Sequence, residues 1–282
     1  MRRLWKSIDK RFGKYYLLLT EYPLTGLLDD LPFSSENQFP QEHGIPPIVY
    51  QTWEENKFGK AHLNSLKRFR ELNSDLSFCL VDAPQRDEYM QRIWGHHPIY
   101  KIYQGSLIGP MKVDVFRYCL ILERGGYYFD INKCVMAPLT GLHSNDAAGM
   151  ICFESGSHKI LPSSQVMSRI QQPERFVAQW GFAFEKGSPV LQKVIDLICE
   201  YAPHFANRGF SRPKNAILQL TGPGMFTKAV WAALEGSPDL KIEQLGIDFN
   251  GLGNRNIPGS HVRYLTMPNY DVKNREVRIL EL

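Results

Sequence analysis

Asp114 and Arg117 lie three residues apart in a stretch of helical period, so their side chains share one face. Asp130 and Asn132 are two apart, and a strand continuing through both would point them to one side. Gly125-Gly126 between the two pairs folds the helix back against the strand. Four polar groups from two elements are then expected to meet at one end of a sheet. In open α/β sheets, ligands bind beyond the carboxyl ends of the strands, which is where Asp130 falls. A carboxylate and an amide oxygen suit a hard divalent cation. Such a cation bridges the two phosphates of a nucleotide diphosphate and neutralises the charge that develops as this group leaves. Asp114 and Arg117 would offer an acceptor and a forked donor to sugar hydroxyls. Trp53, after an upstream strand, places an indole at the same edge, suited to stacking on a nucleobase.

The elements that must position these groups are legible. Pro47-Ile48-Val49-Tyr50 reads as a buried strand, and Leu63, Leu66, Phe69 and Leu72 mark an amphipathic helix. Ser77 to Val81 reads as a second strand, so the chain opens with a βαβ unit that calls for a parallel sheet covered by helices. Residues 110–123 form the clearest helix, with Pro110 in the first turn and Met111, Val115, Cys119 and Leu122 on one face. A strand over Tyr127 to Ile131 emerges from the glycine turn. Helices follow at Val190 to Ile198 and Met225 to Leu234, the latter after the turn Thr221-Gly222-Pro223-Gly224. Beyond Asp248 only short strand-like pieces are expected, such as Val262 to Leu265. Residues 1–44 read as a basic amphipathic segment and an irregular connector, and 45–282 as a single domain.

Composition excludes several classes. Of 282 residues, 43% are apolar and 22% charged, which rules out a disordered chain. Five scattered cysteines argue for buried thiols in a reducing compartment, not a disulfide framework or a CxxC zinc site. The net charge of +4 concentrates at the start, where six basic residues among the first fourteen oppose Asp9 alone. The rest is almost neutral, so no nucleic-acid surface is expected. Leu4, Ile8, Phe12, Tyr15 and Leu19 recur at helical spacing. Residues 1–20 therefore read either as peripheral contact with the inner face of an anionic membrane or as a helix packed on the domain. The expected compartment is the cytoplasm.

The central block carries a resemblance. Asp114-Val115-Phe116-Arg117-Tyr118, then Leu122, Gly125-Gly126-Tyr127-Tyr128 and Asp130-Ile131-Asn132 resemble the signature of DXD-containing sugar transferases. The family is glycosyltransferase family 32, of the initiating-mannosyltransferase and capsular-polysaccharide type, with the clostridial glucosylating toxins as distant relatives. Ile45 to Trp53 is similar to its opening strand and Thr221-Gly222-Pro223 to its TGP turn, so the likeness covers roughly residues 45–230. It implies a GT-A-type Rossmann-like α/β fold with a mainly parallel sheet flanked by helices. It further implies a UDP- or GDP-sugar donor, Mn2+ or Mg2+, and retention of configuration. By matching positions, Asp114 and Arg117 would contact the donor sugar, with Tyr128 beside it. Gln51 and Trp53 would be donor contacts, Trp53 on the base. Asp130 would touch ribose and metal.

Two departures stand out. Asn132 replaces the second Asp of the DXD motif, removing one formal charge and predicting weaker metal affinity. No asparagine appears near Gln179-Trp180-Gly181-Phe182, where relatives present one to the donor. A third metal ligand is sought in the C-terminal loops, at His261 or Asp248. The bland alternatives are an exposed Asp114–Arg117 ion pair and a core Trp53. The functional reading is a hexosyltransferase acting on a glycan or lipid-linked hydroxyl. Its alternative is a degenerate nucleotide-sugar-binding or scaffold protein without transferase activity.

Overall fold

The computed structural model describes residues 21–34, 44–254, 256–262 and 276–282. The chain opens with β1 (Ile48–Thr52), α1 (Lys60–Leu72) and β2 (Ser77–Val81), the expected βαβ unit with both strands parallel. Three helices follow: α2 (Ala83–Trp94), α3 (Pro98–Gly105) and α4 (Gly109–Arg124). Next come β3 (Gly126–Phe129), β4 (Cys134–Val135), β5 (Gly149–Ser157), α5 (Ser164–Met167), β6 (Arg175–Val177) and β7 (Gly181–Phe184). The C-terminal part contributes α6 (Pro189–Phe205), β8 (Gly209–Phe210), α7 (Pro213–Leu220), α8 (Pro223–Gly236), β9 (Ile242–Ile247), β10 (Gly253–Asn254) and β11 (Val277–Arg278).

Seven strands form the central sheet, ordered β2-β1-β3-β7-β5-β6 with β9 paired to β5. Strands β2, β1, β3, β5 and β9 run one way, and β7 and β6 run against them. The sheet is thus mainly parallel in direction and flanked by helices, the α/β arrangement expected. Alternation along each strand sends side chains to two cores. Ile48, Tyr50, Tyr128 and Phe182 face α4, α6 and α8. Val49, Tyr127, Phe129 and Ala183 face α1, with Leu66 and Phe69 in the same cluster.

The connection between α4 and β3 sets the position of the site. Gly125 has φ +69° and Gly126 φ +103°, conformations that L side chains resist. A Cβ on Gly126 would also come within 2.8 Å of the Ile48 carbonyl oxygen. The turn therefore sends β3 straight back alongside β1, with Val49 opposite Tyr127 and Tyr50 opposite Tyr128.

Three expectations need adjustment. The strand read over residues 127–131 stops at Phe129, because the Asp130 amide donates to the Trp180 carbonyl and the Lys133 amide to the Asp130 carbonyl. Asp130 to Lys133 is thus a turn, and Asp130 and Asn132 do not project as strand neighbours. Residues 21–34 have little regular structure, as read, yet they are built into the body. The Glu21 carboxylate accepts from the Ala61 amide at the start of α1, Asp30 pairs with Arg70, and Leu28 is core. Of the strand expected over 262–265, Val262 closes a short 3-10 turn and 263–265 lie outside the described residues, as do 1–20.

All five cysteines are free, four of them buried. Among the described residues, no helix is long and apolar enough to cross a membrane.

Candidate functional site

Helix α4 and strand β3 bring Asp114, Arg117 and Asp130 together. The Arg117 Nη2 atom lies 3.1 Å from an oxygen of Asp114 and 3.1 Å from one of Asp130, so a single nitrogen bridges two carboxylates. Its Nη1 donates to the Gln179 carbonyl at 2.8 Å, and its guanidinium sits 4.7 Å above the Tyr128 ring. Arg117 and Asp114 are each 4% exposed, which removes the reading of a solvated surface pair. A buried ion pair persists only when its remaining polar atoms are also satisfied, and here they are. Asp114 accepts from the Thr221 hydroxyl at 2.9 Å and from the Gln179 amide at 3.1 Å. Tyr118 lies within hydrogen-bond distance of the Gln179 side-chain oxygen and the Thr221 carbonyl, joining the β6–β7 connection and the α7–α8 turn to α4.

Burial and charge compete at Asp114. The spacing alone suggests that Arg117 keeps this carboxylate ionised. Burial outweighs that attraction and pushes the carboxyl from the ordinary 3.8 up to about 7, against the pull of Arg117, Thr221 and Gln179. For Arg117 the balance is opposite: burial disfavours its charge, but Asp130, Tyr128 and Asp114 together hold the guanidinium protonated beyond its usual range. The sign of the linkage follows from the raised carboxyl. Asp114 favours the folded state fully below about pH 4 and loses that contribution as pH rises through about 7. Relative to Asp114→Asn, the native protein should therefore lose stability between pH 5 and pH 8. Urea unfolding of both proteins at the two pH values measures it, and parallel pH profiles would contradict it.

Asp130 is the member of the trio that meets solvent, its side chain 27% exposed against 5% and 6% for its partners. Its Oδ1 takes the Arg117 guanidinium and the Tyr128 hydroxyl, the latter at 3.3 Å, so the carboxylate is aimed rather than loose. Asn132 is 7% exposed, and its carbonyl accepts from the Ile257 amide at 3.3 Å. His261 is exposed, in the 3-10 turn that begins three residues after Ile257. Asp248 lies further away in the chain, at a left-handed φ of +49° after β9. Among the described residues, no three His, Cys, Asp or Glu side chains cluster as a ready-made metal site.

The two upstream residues, Gln51 and Trp53, both lie on the α1 side of the sheet. Gln51 is buried on the α1 side, its side-chain oxygen accepting from Arg70, which forks onto Asp30 with two contacts of 2.6 Å. The Gln51 side chain therefore does not join the Arg117 cluster. Trp53 is half-buried beside the same core, its ring edge-on to His62. The His62 ring nitrogen Nε2 contacts the Ile131 carbonyl at 3.0 Å, linking Trp53 to the Asp130–Asn132 turn. Sequence reasoning passed over His62 because it lies on the helix stripe of Leu66 and Phe69 and reads as core. It also passed over the side chains of Gln179 and Thr221. Gln179 occupies the stretch where an asparagine was sought and supplies an amide to the cluster, though turned to Asp114.

No protein-family model matches the chain. The curated relatives include the initiation-specific alpha-1,6-mannosyltransferase of Candida albicans, 26% identical over 250 residues, covering 80% of this chain and 62% of that protein. The Schizosaccharomyces pombe protein of the same name is 23% identical over 208 residues, covering 69% and 50%. Inositol phosphoceramide mannosyltransferase 3 of S. pombe is 26% identical, covering 80% and 56%. The chain thus spans only 50–62% of the length of these relatives. Among solved structures, PaToxG glycosyltransferase superposes with a TM-score of 0.49 at 15% identity, over 69% of this chain and 72% of that one. The residues from Asp114 to Asn132 and the sequence relatives point the same way: the chain is similar to the initiating mannosyltransferases of glycosyltransferase family 32.

Proposed function

We propose that the chain is a glycosyltransferase that moves a hexose from a UDP- or GDP-sugar to a hydroxyl of a glycan or lipid-linked acceptor, with retention of configuration. The observation that supports it best is Arg117, buried between two carboxylates at the carboxyl edge of the sheet and presenting Asp130 to solvent. The names of the sequence relatives put mannose first among the hexoses to test.

The donor set suits a divalent cation in kind. Asp130 is partly exposed and its Oδ2 makes no hydrogen bond among the described residues, so one hard oxygen is free; Asn132 adds an amide oxygen with no further charge. Asp130 and Asn132 would hold Mn2+ or Mg2+, with His261 as the third protein ligand. When bound, the cation supplies charge neutralisation to the departing diphosphate. The chain's own residues do the rest. Arg117 stays protonated and, packed over the Tyr128 ring, fixes the direction of Asp130, the member of the group that meets the donor. Asp114 lies behind Arg117, closed from solvent, and serves by anchoring it. With Asp114 sealed, Asp130 is the accessible carboxylate of the trio, and within the trio no covalent nucleophile distinct from the metal ligand is at hand. Attack by the acceptor hydroxyl on the face from which the nucleotide departs accords with this. The same closure speaks against a glycoside hydrolase, whose acid and base must both flank the bond.

The test is nucleotide release from a panel of UDP- and GDP-sugars with manganese, magnesium or EDTA. Release from one donor, abolished by EDTA, is the expected outcome. Asn132 motivates a second reading, a sugar-nucleotide-binding module without transfer. Donor binding indifferent to manganese, with no release even with acceptors, would favour that module.

A further inference from the structure

Arg86, in the first turn of α2, is 4% exposed, yet among the described residues no carboxylate lies within 4.0 Å of its guanidinium. Its hydrogen bonds go to two neutral oxygens: Nε to the Tyr103 hydroxyl at 3.2 Å and Nη1 to the Thr52 hydroxyl at 3.4 Å. Neither hydroxyl supplies charge. Thr52 gives its proton to the Val81 carbonyl, and Tyr103 gives its own to Asp87, an exposed residue that balances Arg86 only through the phenol. A second cation stands close, with the Lys112 ammonium 5.3 Å from the centre of the Tyr103 ring and, among the described residues, no ion pair of its own.

Burying a guanidinium is costly unless an anion meets it. Its place in the fold says which one. Thr52 ends β1, which pairs with β3, and β3 ends at Phe129 immediately before Asp130. Tyr50 and Tyr128 face the α4 side, so Thr52, two residues on from Tyr50, projects to that side as well. Arg86, bonded to Thr52, therefore stands at the carboxyl end of β1, on the α4 side and beside the strand whose end leads into Asp130. We infer that Arg86 and Lys112 form a phosphoryl-binding corner of the candidate site, completed by an anionic ligand that neutralises Arg86. A neutral base or sugar oxygen would leave the buried charge uncompensated; a phosphoryl group meets the guanidinium fork with two oxygens. This rests on the transferase reading for the ligand's identity but not for its charge. The phosphoryl group belongs either to the nucleotide donor or to an acceptor, and the probes below separate the two.

The experiment compares the full chain with Arg86→Met, using calorimetric titration of UDP, GDP, inorganic pyrophosphate and the nucleosides uridine and guanosine. The variant is expected to bind pyrophosphate and the preferred diphosphate at least about tenfold more weakly, with nucleoside affinity unchanged. Pyrophosphate should also raise the melting temperature of the native protein and not of the variant. Displacement of pyrophosphate by the nucleotide assigns the corner to the donor, and simultaneous binding with only pyrophosphate lost in the variant assigns it to an acceptor phosphate. Equal affinities in both proteins overturn the proposal. Wild-type binding of pyrophosphate without any nucleotide keeps it while removing the transferase reading, and binding of neither overturns both. If Arg86→Met does not fold, Lys112→Gln decides: a loss of about threefold or more, steeper at low salt, is expected, and unchanged affinity overturns the proposal.

Discussion

Asp130→Ala is expected to lower nucleotide release from the donor by a factor on the order of 10²–10³ while the protein stays folded. Both halves follow from where Asp130 sits. It is the partly exposed end of the trio, so its removal opens no core cavity, and Arg117 keeps Asp114 and the Gln179 carbonyl as partners. The lost group is the carboxylate aimed at the reacting region by Arg117 and Tyr128. Thermal unfolding should move little, within the about 1 kcal/mol range of a partly solvated ion pair. Release near the native rate would remove Asp130 from the machinery and with it the proposed activity. A large fall in stability would mean instead that the turn it begins is a structural element.

Arg117→Met should do the opposite, harming fold and activity together. It strips two carboxylates of their shared partner and leaves Asp114 in a closed, low-dielectric site, where breaking a buried pair costs about 3–5 kcal/mol. The cost must depend on pH. Burial already holds the Asp114 carboxyl at about 7, and loss of Arg117 raises it further. A folded-state value above the unfolded one means stability is present at low pH and lost as pH rises through the folded value. The variant should therefore be closest to the native protein near pH 5 and furthest from it near pH 8, as read by chemical denaturation. Adding Asp114→Asn should flatten that dependence. A penalty equal at both pH values would show that packing against Tyr128, not charge, is what Arg117 contributes. Arg117→Lys is expected to recover part of the stability and little of the activity, since an ammonium cannot reproduce the fork that reaches two carboxylates and the Gln179 carbonyl.

Local pattern in the sequence determined much of this molecule. Helical period and the glycine pair were enough to place Asp114 and Arg117 on one helix and to turn the chain back so that Asp130 meets them, because both signals act within a few residues. Strand–helix–strand order was enough for a sheet whose carboxyl edge holds the site. Long-range contact decided the rest. Whether Asp114 and Arg117 were a solvated pair or a sealed one depended on Gln179 and Thr221, which arrive from distant segments and carry no local mark of that role. The Asp114 carboxyl moved up rather than down for the same reason, since desolvation is a property of everything packed around a group. Gln51 turned from the site toward Arg70 because strand alternation and the packing of α1 left it on the other face. Arg86, one charge among thirty-three Lys and Arg residues, became distinctive only when folding buried it with no carboxylate against it among the described residues. Spacing along a chain reports which side chains share an element; solvent exclusion and unmet charge exist only once the elements have closed on one another.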